Sequence, residues 1–149
     1  MNKALAFLEQ QVGKPANQSP SRVMRWFNPT LQSVAEGKVV FSYTIREEMT
    51  NVMRNLHGGM AAAIIDDCVG AALFSYGEMG TFYASINLSV DYLGPARQDD
   101  TIIAEGRIIK KGRTLVYAEG EIWNAKRTRL LVRGTTSLIK TGSEQAPGG

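Results

Sequence analysis

GGMAAAIIDDCVGAALFSYG, residues 58–77, decides the fold. The stretch has no proline, is rich in alanine, and carries apolar residues on every side of a helical wheel, which predicts a long helix buried on all sides. Asp66 and Asp67 are its only charged residues. An ionised carboxylate costs several kcal/mol to bury unless it is paired or hydrogen-bonded. The two acids therefore either mark a solvent-facing strip or serve a purpose that offsets that cost.

On the N-terminal side, VVFSYTI (39–45) alternates with the period of a half-buried strand, and REEMTNVMRNL (46–56) reads as a connection into the helix. On the C-terminal side come four strand-like runs: ASINLSVDYL (84–93), TIIAEGRIIK (101–110), TLVYAEGEIW (114–123) and LLVRGTTSLIK (130–140). The last three are joined by the turn-like pieces KKGR and NAKRT, as in an antiparallel meander. The element order predicts an α+β fold, an antiparallel sheet wrapped around one long helix. Residues 3–12 read as a short amphipathic helix and GKPANQSPS (13–21) as a loop. The expected organisation is an N-terminal helix and loop over 1–22, one domain over 23–140, and a disordered tail over 141–149. One helix covers only one side of such a sheet, so a second copy of the chain is expected to complete the packing, as a homodimer or homotetramer.

The chain has 149 residues, 44% of them hydrophobic and 21% charged, as expected of one ordinary globular domain. Its formal charge of +3 is spread along the chain rather than gathered into a basic arm, so no nucleic-acid partner is expected. The mild excess favours a small anionic ligand. No apolar run approaches the roughly 20 residues that cross a bilayer, and the N-terminus lacks a signal-peptide pattern, so a soluble cytoplasmic protein without membrane partners is expected. Cys68 is the only cysteine and His57 the only histidine. No disulfide and no metal site are expected from that set.

NLHGGM (55–60) places Gly58 and Gly59 at the start of the long helix, where backbone N–H groups are free and the helix dipole is positive. Such a position stabilises an anion, or an oxyanion forming on a carbonyl, and two residues without a Cβ allow close approach. The pair serves equally as a flexible helix start. A histidine is a residue type suited to acid-base work, and His57 serves equally as a cap. Cys68 lacks a histidine partner to activate it and reads as a small buried residue.

The segment TNVMRNLHGGMAAAIIDDCVGAALF, followed by YASINLSVDYLGPA and then IIKKGRTLVYAEGEIW, resembles the hotdog-fold acyl-CoA thioesterases of the phenylacetate-pathway (PaaI) type over residues 38–140. The resemblance implies a central helix wrapped by an antiparallel sheet, and active sites built across a dimer interface. It also implies hydrolysis of acyl-CoA thioesters with no metal or other cofactor, CoA being part of the substrate. In the family pattern Asn51 and Gly58 hold the thioester carbonyl with His57 alongside. The acid nine positions after the histidine, here Asp66, acts from the partner subunit as base or nucleophile, and Ser85 assists the attacking water. Gly59 belongs to the substrate-binding set, and Lys110, Lys111 and Arg113 are placed in a turn suited to the CoA phosphates or simply to solvent.

Two other functions fit the same fold: a hydratase or dehydratase acting on an acyl thioester, and a protein that binds acyl-CoA without turning it over. A hydratase needs an acid-base pair over the α and β carbons, whereas the residues here offer an oxyanion donor and one carboxylate. Met49, Met53, Met60 and Phe82 are candidates to line an acyl pocket, with core packing as the alternative role for each.

Overall fold

The structure is a computed structural model describing residues 1–78 and 80–143. In chain order it contains α1 (Lys3–Gln11), α2 (Arg22–Phe27), β1 (Thr30–Ala35), β2 (Lys38–Thr44), a 3-10 turn (Glu47–Met49), α3 (Gly58–Phe74), β3 (Thr81–Tyr92), β4 (Thr101–Lys111), β5 (Leu115–Asn124) and β6 (Leu130–Ser143). The strands form one antiparallel sheet in the spatial order β1, β2, β4, β5, β6, β3. The expected α+β plan, a sheet around one long helix, is the one observed. β3 follows α3 directly in the chain yet lies at the far edge of the sheet, paired only with β6.

The spacing of its large side chains fixes how α3 sits. Ala61, Ile64, Ile65, Cys68, Val69 and Ala72 recur every three or four residues and bury themselves against the sheet. The opposite flank, with Gly59, Asp66 and Gly70, is exposed in a single chain. The helix is therefore not covered all round within one chain, contrary to the burial on all sides that its composition predicts. Apart from Asp66 its outer flank is built of small residues, and the sheet reaches only one side.

A row of glycines sets the closeness of that contact. Gly106 on β4 pairs with Gly120 on β5, which pairs with Gly134 on β6, so three residues without side chains lie in register beneath α3. A Cβ on Gly106 would stand 2.5 Å from the Cys68 carbonyl, and one on Gly120 would stand 2.7 Å from Ile65 Cγ2. Backbone atoms have no rotamer to yield with. Gly106→Ala is expected to lower the unfolding free energy by about 1–3 kcal/mol, read as a lower urea midpoint. An unchanged midpoint would mean that the helix shifts freely over the sheet.

Two elements go beyond the sequence reading. α2 and β1 lie between the loop at 13–21 and the strand at 39–45, where the sequence reading assigns no element, and β1 joins the sheet through a hairpin whose turn contains Gly37 at φ 79°. The N-terminal segment packs into the main core through Leu8, Met24 and Phe27. The expected tail boundary at 140 is corrected: β6 continues to Ser143, since Thr81 to Tyr83 on β3 extend the ladder to meet it. The rest of the expected disordered tail, 144–149, lies outside the described residues. No helix of the described residues is long and apolar enough to cross a membrane.

Candidate active site

The approach to α3 is a tight loop. Asn51 Oδ1 accepts hydrogen bonds from the Met53 N–H (3.0 Å) and the Asn55 N–H (3.2 Å), while Arg54 adopts φ 61°. With the carboxamide oxygen turned inward by two donors, the Asn51 NH₂ group is left to face outward as a donor. The His57 N–H bonds to the Met49 carbonyl at 2.9 Å, and His57 Nδ1 accepts from the Gly59 N–H at 2.9 Å. His57 is thus the N-cap of α3, and a neutral ring capped this way carries its proton on Nε2.

This narrows the oxyanion position. The Gly59 amide is already engaged by His57, so the substrate-binding donor expected there is not free. The Gly58 N–H finds no acceptor among the described residues. Tyr92 O–H donates to the Gly58 carbonyl at 2.7 Å and ties the helix start to the sheet edge, and a Cβ on Gly58 would meet that hydroxyl at 3.2 Å. The sequence reading missed Tyr92. Its place in the alternating 84–93 row was visible, but not that the end of β3 comes back to the start of α3.

Asp66 and Ser85 come together within one chain, with Ser85 Oγ donating to Asp66 Oδ1 at 3.0 Å. Both side chains are exposed, Asp66 on the outer flank of α3 and Ser85 on the edge strand. The Asn51, His57 and Gly58 group and the Asp66 and Ser85 pair do not meet within one chain. Gly58 and Asp66 lie eight residues apart on one helix, about 12 Å along its axis, beyond the reach of one carboxylate.

Asp67 has different surroundings. It turns toward α2, where Ser21 Oγ donates to its Oδ1 at 3.4 Å, and its Oδ2 is buried without a partner. Burial first, and the charge of Asp66 second, push its carboxyl up to about 6. A carboxyl raised on folding contributes stability that is complete below its unfolded value near 3.8 and is lost as pH rises through about 6. Asp67→Asn should therefore match the parent protein near pH 4 and exceed it above pH 7. The full shift corresponds to about 3 kcal/mol, reduced to about 1–2 kcal/mol because the group is partly open to water. Urea titrations at the two pH values check this, and an equal gap at both would remove Asp67 as the cause.

Beside Asp67 lies an apolar cavity of about 240 Å³ between the N-terminal segment and α3, bounded by Phe7, Leu8, Met24, Phe41, Gly70 and Phe74. None of Met49, Met53, Met60 or Phe82, the expected pocket residues, borders it. Lys111 is ion-paired with Glu78 and lies over the Tyr76 ring, at the C-terminal end of α3. Lys110 and Arg113 are exposed. Cys68 is fully buried against the Tyr43 hydroxyl at 3.7 Å, and burial pushes its thiol up to about 12, which leaves it no thiolate to attack with. Among the described residues no three His, Cys, Asp or Glu side chains cluster as metal ligands.

The fold and part of the sequence recur in known proteins. Residues 53–131 match the family model of the thioesterase superfamily. Human acyl-coenzyme A thioesterase 13 is 31% identical over 105 residues, 70% of this chain and 74% of that protein. Among solved structures, thioesterase superfamily member 2 of zebra fish superposes with a TM-score of 0.73 at 26% identity, covering 95% of both chains. The PaaI protein of the E. coli phenylacetic acid degradation operon superposes with a TM-score of 0.79 over 95% of this chain and 96% of that one, its 18% identity bearing on the fold alone. The chain belongs to the thioesterase superfamily and has the hotdog fold.

Proposed function

We propose that the protein is an acyl-CoA thioesterase whose active sites are shared between two copies of the chain. The observation that carries this reading is the division of the machinery: donors for a carbonyl at the start of α3, and a carboxylate held by Ser85 about 12 Å further along the same helix. A neighbouring copy that places its Asp66 opposite Gly58 makes both halves useful.

The edge strand supplies the means of pairing. β3 is 12 residues long and ends the sheet, with exposed Phe82, Ile86 and Tyr92 along it. A long edge strand bearing apolar residues is a template for another strand. Joining two copies through β3 extends the sheet and brings Ser85 and Asp66 to the interface. A homodimer is the smallest assembly with a complete site, and a homotetramer repeats it.

In that site the thioester carbonyl accepts from the Gly58 N–H and the Asn51 NH₂, which stabilise the oxyanion as it forms. Asp66 of the facing copy takes a proton from water. The water oxygen bonds to the carbonyl carbon, the C–S bond breaks, and CoA leaves as its thiol with the proton returned. Ser85 occupies one carboxylate oxygen and leaves the other to act as base. No metal or other cofactor takes part, and CoA enters only as part of the substrate. Lys110 and Arg113 are assigned to the CoA phosphates, with Lys111 as the less available third. An assay for CoA thiol release tests the reading, and binding without release would assign the chain to acyl-CoA binding instead.

A further inference from the structure

We propose that the cavity between the N-terminal segment and α3 is the acyl-chain site, that it takes an uncharged alkyl tail, and that Gly70 and Phe74 set the chain length it accepts. This rests on the thioesterase reading above and adds the class of acyl group.

Three observations converge on this cavity. Its position is the first: Gly70 stands one helical turn beyond Asp66 on the same exposed flank of α3, so an acyl chain leaving a thioester at Asp66 runs past Gly70. The second is Gly70 itself. A glycine in mid-helix costs about 1 kcal/mol against alanine, and a Cβ built there meets nothing within 4 Å. Nothing packed in this chain requires the absence of a side chain, whereas a tail passing over the helix does. The third is the lining, which is almost entirely apolar, with Phe7, Leu8, Met24, Phe41 and Phe74 around the space.

The size and polarity narrow the occupant. An apolar cavity of about 150 Å³ holds one benzene. By that ratio the roughly 240 Å³ here has room for about nine or ten carbon atoms. The only carboxyl on its wall, Asp67, has one oxygen turned to Ser21 and the other buried, so it offers a tail no exposed polar partner. A tail ending in a carboxylate would lose its hydration against this apolar wall. The fitting substrates are uncharged acyl groups up to about ten carbons.

The test reads kcat/KM for CoA thiol release from acetyl-, butanoyl-, hexanoyl-, octanoyl-, decanoyl- and dodecanoyl-CoA. In the parent protein the value should rise about fourfold per added methylene until the cavity is full, then level off. Gly70→Leu fills the space and should shift the plateau to shorter chains, lowering the octanoyl-to-acetyl ratio at least tenfold. Phe74→Ala enlarges the space and should shift the plateau to longer chains. Opposite shifts from two substitutions cannot come from lost stability, which lowers every substrate alike. Calorimetric binding of non-hydrolysable thioether analogues of the same series reads the cavity independently of turnover. Turnover with unchanged chain-length profiles in both variants overturns the assignment alone. Length-dependent binding without turnover overturns the thioesterase reading alone. If Gly70→Leu instead dissociates the assembly and leaves the profile unchanged, the space belongs to the contact between copies and the acyl assignment falls.

Discussion

Asp66→Asn is expected to lower kcat by about a hundredfold to ten-thousandfold, the range supplied by a general base, while acyl-CoA continues to bind. The substitution keeps the size of the side chain and its bond from Ser85 but removes the proton acceptor. Asp67→Asn is the matched control. The two carboxyls are neighbours in sequence but about 100° apart around the helix. Asp66 stands exposed beside Ser85 on the edge strand, and Asp67 is turned under α2 with one oxygen buried. Asp67→Asn should keep most of its turnover. Steady-state assays on both variants decide the assignment, and it fails if Asp67→Asn is inactive while Asp66→Asn is not.

Mixing two inactive variants should restore activity. Asn51→Ala removes a donor to the carbonyl and Asp66→Asn removes the base. In a shared site each mixed dimer contains one defective centre carrying both lesions and one intact centre with neither. Random reassortment makes half of the dimers mixed, so about a quarter of the parent's centres are rebuilt. Co-refolded mixtures should recover turnover to that order while each variant refolded alone stays inactive. Mixtures that form heterodimers yet never recover turnover would show that each chain carries its own complete site.

The long helix and the four strands after it were legible because each repeats a period over many residues. Ile64, Ile65, Cys68 and Ala72 keep the helical spacing, and β5 alternates cleanly between buried and more open positions. α2 and β1 were not legible, because each spans only six residues and β1 buries Leu31 alone. The row of Gly106, Gly120 and Gly134 was present in the sequence as three separate glycines. Their alignment depends on strand register, which no single segment reveals.

The site shows the same division. His57 and Gly58 stand out at the start of the long helix and Asp66 and Asp67 as its only charges, whereas the choice of Asp66, like that of Ser85, comes from the resemblance. Long-range contacts were hidden, among them Tyr92 closing on Gly58 and Ser21 reaching Asp67 across 46 positions. The cavity was hidden for the same reason, since it is walled by a loop and helix from one end of the chain and by α3 from its middle. The availability of Gly59 was misjudged because a histidine before two glycines signals a cap as readily as a catalyst. The hydrogen bond from the Gly59 N–H to Nδ1 makes His57 the cap of α3.

The most direct test is the release of free CoA thiol from a series of acyl-CoA esters by the purified protein, with and without a strong chelator. Thiol should appear in equal amount to the free acid, at a rate that the chelator leaves unchanged and that Asp66→Asn lowers by about a hundredfold or more. Acyl-CoA bound without thiol release, hydration of an enoyl-CoA with its thioester intact, or activity lost to the chelator and restored by zinc would contradict a metal-free hydrolysis driven by Asp66.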